Sequence, residues 1–499
     1  MYLVPFLLII PLGLAFLIAL IGKKINAADS FLTAIGTSSL AVISYMIAFS
    51  VLANKILVYK TGNWISSAGI PMVVDALAAF MLVTVNTIIF LIALYSIDYV
   101  KKYTDQWKFY TLFMLMVGGI NGVLVTGDIF NLYVFLEITA ISGYFLVAFG
   151  TSADEFEASF KYAVMGTVAS IFILLGIALL YSYTNTLNMA DMANVLASKG
   201  PSKIIQFVAV LFLMGLGLKA ALAPFHAWLP YAHSSAPAPV SAMLSGVVVK
   251  VSGVYALSRI FFNVFGMTAQ ISTVLIILGV LSMIVASLLA FGQSDIKRLF
   301  AYSSISQIGY IVLALGIATP LSIFGALFHL LNHSLFKALL FLNSGAIERT
   351  TGTRDLNKIR GVLSNTPVVG YTGITGALSI CGMPPLGGFW SKLIIILACI
   401  QANRPVLGFI AISVSMLTLA YYFKALTPAM FGQAGKMAVN GAQKKVTLAM
   451  SIPMVILAVL SIVSVMMLLP NSGNALLNNA VSVLYGGRDY AAIVFGANK

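Results

Sequence analysis

Charge is what this sequence has least of. Only 8% of its 499 residues are Asp, Glu, Lys or Arg, whereas a soluble chain carries about a quarter. That is too little polar material to cover soluble domains of this combined size. Cysteine is scarcer still: Cys381 and Cys399 are the two in the chain. Both fall in one expected span, where packing explains them better than a redox pair. No cysteine cluster for iron–sulfur, no haem motif and no glycine-rich nucleotide loop occurs. The polypeptide therefore brings no electron-transfer or ATP chemistry of its own, and no cofactor is expected. Acidic residues number 14 against 28 basic ones. The resulting charge of +14 is spread over many short loops and forms no basic helix or arm, which argues against nucleic acid as a partner.

What the sequence has is apolar length. Hydrophobic residues make up 60% of it and mean hydropathy is +1.02. A transmembrane helix needs about 20 mostly apolar residues, and such runs recur from end to end. Fourteen spans are expected, near 3–21, 30–53, 75–97, 108–126, 129–149, 158–183, 204–223, 239–260, 270–291, 298–318, 321–345, 367–400, 405–430 and 447–469. The fold class is an all-α polytopic membrane protein embedded in a lipid bilayer. No basic residue precedes the first span, no small-residue cleavage pattern follows it, and Lys23 and Lys24 come after it. It reads as a retained helix, not a signal peptide. The longest polar connections, Lys55–Val74 and Asn185–Lys203, read as ordinary loops, and no soluble domain is expected.

Orientation follows from where the positive charge lies. With the N-terminus outside, the inside loops hold 15 Lys and Arg, and the outside loops with the C-terminal tail hold 8. The positive-inside rule then places both termini outside the cytoplasmic membrane. With Lys108, Lys161, Arg259 and Arg298 near the span ends counted with the loops, five basic residues remain within spans: Lys219, Lys250, Lys337, Lys392 and Lys424. Glu137 joins them as the one charged residue between Ile129 and Phe149, and His329 and His333 complete the set. A charge at the bilayer centre costs roughly 2.5–3.5 kcal/mol on insertion scales, so such residues are by default functional candidates facing a bundle interior or a watery path.

Each has a plainer alternative. Lys424, toward the far part of its span, fits a lysine snorkelling to the interface as well as it fits a functional one. Lys337 lies toward the end of its helix. Lys219, Lys250 and Lys392 lie deeper, with no acid near them in sequence, and a structural ion pair is their competing explanation. One of these lysines is the expected partner of Glu137, since an unpaired buried charge would neutralise itself. His329, His333 and Lys337 are spaced by four, which aligns them on one helix face. Two histidines at that spacing can bind zinc, but the zinc-protease form needs Glu after the first and Leu330 stands there. No Cys or carboxylate nearby completes a metal site. A packed core histidine remains an alternative to the relay reading, in which imidazole passes protons between its two nitrogens.

Two helices carry breaks. One lies in GLGLKAALAPFHAWLP (Gly215–Pro230), with Lys219 five residues before Pro224. The other lies in CGMPPLGGFWSK (Cys381–Lys392), with Lys392 seven residues after Pro385 and eight after Pro384. Proline removes a backbone donor and glycine loosens the turn. In lipid, such backbone is tolerated only where protein or a water-filled cavity receives it. Two breaks, each with a lysine beside it, suggest corresponding places in two halves of an internal repeat, where transporters commonly bind ions.

These motifs resemble a known family. PFHAWLPYAHSSAPAPVSAMLSGVVVK (Pro224–Lys250), ALFHLLNHSLFKALLFLNSG (Ala326–Gly345) and GMPPLGGFWSK (Gly382–Lys392) are similar to signatures of antiporter-like subunits. Such subunits occur in Mrp cation/proton antiporters, in NADH:quinone oxidoreductase (complex I) and in membrane-bound hydrogenases. GDIFNLYVFLE (Gly127–Glu137) most resembles the D-type subunit of Mrp complexes, and the chain lacks the long C-terminal extension of the A-type. The resemblance implies fourteen helices with two inverted five-helix repeats and a hydrophilic axis at the membrane midplane. On that scheme residues 1–107 are N-terminal helices, 108–260 the first repeat, 270–430 the second, and 447–499 a C-terminal helix and tail.

By the same resemblance, Glu137 matches the fifth-helix glutamate and Lys219 the seventh-helix lysine paired with it. Lys250 matches the eighth-helix bridging lysine, His329 and His333 the central histidines, and Lys392 the twelfth-helix lysine near the proton exit. One complex I type carries glutamate at that last place, and Lys392 argues against it. The expected function is a proton-translocating subunit of an Mrp-type Na+/H+ antiporter complex, working with other membrane subunits on H+ and Na+. Its expected relay runs through Glu137, Lys219, Lys250, the histidines, Lys337 and Lys392. Losing its carboxylate partner leaves Lys219 as an isolated buried ammonium, which favours proton release. A redox-driven pump subunit, a non-transporting scaffold and a solute transporter are the alternatives.

Overall fold

The computed structural model describes residues 2–25, 27–63, 69–200, 202–432, 445–469 and 474–496. Residues 64–68 of the Lys55–Val74 connection lie outside them, as do Lys436 and Lys444 of the basic thirteenth loop and parts of the C-terminal stretch. The described residues are overwhelmingly helical. They run as α1 (Phe6–Ile21), α2 (Ala28–Asn54), a hairpin of β1 (Ile56–Lys60) and β2 (Pro71–Asp75), α3 (Ala76–Tyr99), α4 (Gln106–Val125) and α5 (Ile129–Val147). After these come α6 (Ala153–Thr184), α7 (Met189–Lys199), α8 (Lys203–Lys219), α9 (Trp228–Ser235) and α10 (Ala238–Val264). The second half holds α11 (Ala269–Phe291), α12 (Ile296–Ile317), α13 (Pro320–Thr351), α14 (Pro367–Cys381), α15 (Gly387–Gln401) and α16 (Pro405–Phe431). It ends with α17 (Leu448–Val463), α18 (Ala475–Tyr485) and α19 (Tyr490–Gly496).

Among the described residues, 11 helices are long and apolar enough to cross a membrane. The other three expected spans fall on α1, on α8, and on α14 with α15, where the helices are too short by length alone. The last two are the helices predicted to break. Bulky apolar side chains such as Phe16, Phe49, Phe145, Phe160, Phe409 and Met416 point outward, as surfaces bathed in lipid require. Every residue in the most apolar stretch of α10 is buried, and α12 and α13 are nearly as enclosed. These three helices form the centre of the molecule.

Polar residues at the ends of the apolar runs start the helices. Asp75 accepts from Ala78 N at 2.9 Å to cap α3, and Asp128 accepts from Asn131 N at 2.7 Å to cap α5. Ser152 with Glu155, and Thr319 with Ser322, form reciprocal caps on α6 and α13. Each such cap satisfies amide groups that lipid cannot.

Two connections hold more structure than loops. Ile56–Lys60 pairs antiparallel with Pro71–Asp75, Ile56 opposite Asp75 and Lys60 opposite Pro71. The β-branched and aromatic residues of ILVYK and PMVVD suit a pleated surface. Within Asn185–Lys203, Asn188 accepts from Ala190 N and Asp191 N and starts α7, which buries Met189, Met192 and Leu196. α10 also departs from regular α-helix, with π-helical turns over Leu244–Tyr255 and Arg259–Val264. It packs closely on the first break: a Cβ on Gly253 would sit 2.5 Å from Ala220 Cα.

Candidate functional site

Lys219 is the last residue of α8. Beyond it the chain turns through Ala221 in a left-handed conformation (φ 53°) and through the cis Ala223–Pro224 bond. The backbone groups released there find protein partners. Ala223 N donates to Ser282 Oγ at 2.9 Å, Leu222 N to Gly217 O at 2.9 Å, and the Trp228 indole to Leu218 O at 3.1 Å. This is the condition under which a helix can break inside lipid.

The break carries Lys219 to Glu137 on α5, with Nζ 3.3 Å from Oε1. The lysine side chain is buried and the carboxylate is 24% exposed. A third group joins them from α6: Ser170 Oγ accepts from Lys219 Nζ at 3.1 Å and donates in a short hydrogen bond to Glu137 Oε1. Charge-assisted hydrogen bonds of this kind are stronger than neutral ones. The partner expected for Glu137 is thus Lys219, and Ser170 joins the two.

Among the described residues, no carboxylate contacts Lys250, Lys337, Lys392 or Lys424. Lys250 sits in the π-helical stretch of α10, fully buried, and its amine donates to Ser245 O. Ser245 Oγ meets Ser304 Oγ of α12 at 2.8 Å. π-helical turns are rare and often mark functional sites. On α13, His329, His333 and Lys337 line one face, all fully buried. His329 Nδ1 lies 2.8 Å from Ser391 Oγ of α15, and the two imidazoles stack 6.1 Å apart. His329 Nε2 and both nitrogens of His333 have no hydrogen-bond partner among the described residues. Lys337 Nζ donates to Phe300 O at 2.7 Å and to Ser303 Oγ at 2.5 Å, and Ser303 Oγ meets the Tyr422 hydroxyl at 3.0 Å.

The second break also has a lysine beside it, here resting on a carbonyl and a hydroxyl. α14 ends at Cys381, Gly382 takes a left-handed conformation (φ 79°), and the cis Pro384–Pro385 bond precedes α15. Lys392 Nζ reaches back to Ile380 O at 2.7 Å, a carbonyl at the broken end, and to Ser415 Oγ at 3.3 Å. It lies 5.3 Å from the Tyr310 ring and borders a cavity of about 210 Å³. Lys424, by contrast, is exposed on α16, its amine 4.4 Å from the Phe291 ring. Cys381 and Cys399 are both buried and unbridged.

Several residues escaped the sequence reading. Ser170 is one of many hydroxyls in apolar helices and carries no pattern of its own. Asp75 and Arg259 lie at the edges of expected spans, where charge is unremarkable. In the structure they form a buried pair, with Nη1–Oδ2 at 2.6 Å and Nη2–Oδ1 at 2.8 Å, that ties the hairpin to α10. His233, buried on α9, fell in a stretch read as a connection; its nearness to Pro237 and to the break was the available signal.

Comparison with known proteins identifies the family. Residues 126–418 match the family model described as "NADH:quinone oxidoreductase/Mrp antiporter, TM", and residues 64–110 match that of the complex I chain 5 N-terminus. The chain is 33% identical over 431 residues to the D-type subunit of the Na(+)/H(+) antiporter of Alkalihalophilus pseudofirmus, covering 86% of this chain and 87% of that one. It is 36% identical over 426 residues to the N-type subunit of the NADH-quinone oxidoreductase of Desulforudis audaxviator, covering 84% and 85%. Its fold superimposes on a chain of the Mrp complex from Dietzia sp. with a TM-score of 0.90 at 25% identity, covering 99% of this chain and 100% of that one. It also superimposes on a chain of an archaeal membrane-bound sulfane sulfur reductase, TM-score 0.90 at 32% identity, covering 98% and 99%. The chain is a multi-pass membrane protein of the NADH:quinone oxidoreductase/Mrp antiporter family.

Proposed function

We propose that the chain is the proton-translocating subunit of a multisubunit Mrp-type Na+/H+ antiporter complex in the cytoplasmic membrane, with both termini outside. The observation that carries this reading is the Glu137–Ser170–Lys219 contact at the end of a broken helix. Burying two charges is costly, and their attraction offsets that cost only while the geometry holds. The pair is therefore a two-state element. Made, it holds Lys219 charged; parted, it leaves a buried ammonium whose proton is better passed on.

The groups that receive it are Lys250, His333, His329, Lys337 and finally Lys392; the three lysines rest on hydroxyls and carbonyls that accept a proton donor without fixing it as a carboxylate would. Residues 108–260 and 270–430 act as the two repeats, one around each break. The chain works in transport beside other antiporter-like and small membrane subunits, and chemistry that powers it comes from a gradient or from a partner. The likeness to a component of a quinone oxidoreductase and to a chain of the archaeal sulfur reductase supports a second reading, a pump powered by a neighbouring redox reaction.

Inside-out vesicles carrying the whole complex and a fluorescent ΔpH probe separate the two. Na+-triggered collapse of an imposed gradient, lost in Lys219→Ala and Glu137→Ala while assembly persists, is the expected result. Gradient formation only with an electron donor selects the redox reading. Unaltered flux in both variants refutes the relay and leaves a scaffold.

A further inference from the structure

A polar cavity lies away from the central histidines. It has a volume of about 500 Å³ and opens at the surface between five connections: four supply Lys102, Glu155, Asp295, Lys297, Glu348 and Arg354, and the fifth is the segment 234–237. All five belong to the loops that the charge distribution assigns to the inside. Its floor is the segment 234–237, between α9 and α10.

Lys297 is the group that joins this cavity to the protein interior. It lines the cavity, yet its side chain is only 2% exposed. Nζ lies 3.5 Å from Glu348 Oε2 and donates to Ala236 O at 3.0 Å. Arg354 closes the cluster, 3.4 Å from Asp295 and 3.9 Å from Glu348, and donates to Ser234 O.

Directly behind the floor is His233. It is fully buried, and neither ring nitrogen has a hydrogen-bond partner among the described residues. Its ring stacks on Phe341 at 4.6 Å, and Lys337 Nζ lies 6.0 Å from the same Phe341 ring. Lys337, Lys250 and Lys297 are the cationic groups near enough to act on it electrostatically, and of the three Lys297 lines the cavity. A purely structural stacking residue would not need two polar atoms, and leaving them buried and unpaired costs about 1–3 kcal/mol each.

We propose that this cavity is the aqueous entrance of the relay, and that Lys297 and His233 carry protons from it to the central lysines. The inference rests on the proton-relay reading and adds its point of entry. Lys297 gives a proton to one nitrogen of the neutral imidazole and regains one from water in the cavity. His233 releases the proton from its other nitrogen toward Lys337 or Lys250. Glu348 keeps the lysine at the boundary.

The test uses the whole complex in inside-out vesicles. Ser235→Cys places a thiol on the cavity floor, and the two native cysteines are buried. A membrane-impermeant trimethylammonium methanethiosulfonate is added from the cytoplasmic side, and proton flux is read before and after. The expected result is labelling followed by at least a tenfold fall in flux, with a comparable fall in His233→Asn at unchanged complex assembly. Ser234→Cys serves if Ser235→Cys is inactive before labelling. No labelling at either position, labelling that leaves flux unchanged, or normal flux in His233→Asn overturns the proposal. Lys219→Ala, run alongside, separates the two claims. If it is silent while these variants conduct, the entrance is wrong and the relay stands. If it conducts, the relay itself is refuted.

Discussion

Ser170→Ala isolates the hydroxyl that joins the two charges of the first break. The substitution removes one acceptor of Lys219 Nζ at 3.1 Å and one donor to Glu137 Oε1, and leaves the direct 3.3 Å contact. A hydrogen bond to a charged group contributes about 1.5–3 kcal/mol. The carboxylate is partly exposed, so the lower end of that range applies, and about 1.4 kcal/mol corresponds to tenfold. Proton flux per assembled complex should therefore fall about tenfold, far short of the loss expected for Lys219→Ala. Ser170→Thr keeps the hydroxyl and should restore most of the flux. The assay is Na+-induced ΔpH collapse in vesicles, normalised to the amount of the chain in the membrane. Wild-type flux in Ser170→Ala would refute the argument that this hydroxyl tunes the pair. So would a fall explained wholly by less protein.

The remaining expectations concern residues outside the relay. Arg259→Ala leaves Asp75 buried without its bidentate partner, which should cost about 3–5 kcal/mol and lower the thermal unfolding temperature of the detergent-solubilised complex, with flux per surviving molecule unchanged. Lys424→Gln alters an exposed side chain, so flux should stay within about twofold of wild type, the scale of an ordinary surface substitution. A larger fall would bring Lys424 into the conduction path.

What could be read in the sequence was what lipid makes expensive. Lys219, Lys250, Lys337 and Lys392 stood out because a charge in an apolar run must repay its insertion, and the structure buries all four. The breaks were legible at Pro224 and at Pro384–Pro385 for a similar reason, since proline and glycine interrupt hydrogen bonding that lipid cannot replace. Features that cost little in lipid left no mark. Ser170 Oγ lies 2.9 Å from Gly166 O of its own helix, the contact available to any helical serine, so nothing in the sequence separates it from the others. The hairpin and α7 lie in connections where water can satisfy the backbone, and their short apolar stretches carry too little periodicity to name. His233 belongs to the same group. It sits in the segment after a break, and only the folding of that segment into the interior gives an imidazole there any consequence.

The distribution of counter-charge bears on how such an array would work. Among the described residues, one carboxylate contacts one of the four lysines Lys219, Lys250, Lys337 and Lys392, and the other three amines rest on carbonyls and hydroxyls. Four ammonium groups held together on neutral acceptors would repel one another across a medium that screens poorly. Charging them all would cost far more than the single pair returns, so the array favours holding few protons at a time. Under the proposed relay, a proton arriving at one lysine raises the cost of keeping one on the next, and movement of Glu137 toward or away from Lys219 shifts the balance along the whole series. This places control at the end that has the acid. It also explains why Glu137 need not be the most buried group: partial exposure leaves the carboxylate room to part from Lys219, which a fully enclosed ion pair such as Asp75–Arg259 lacks.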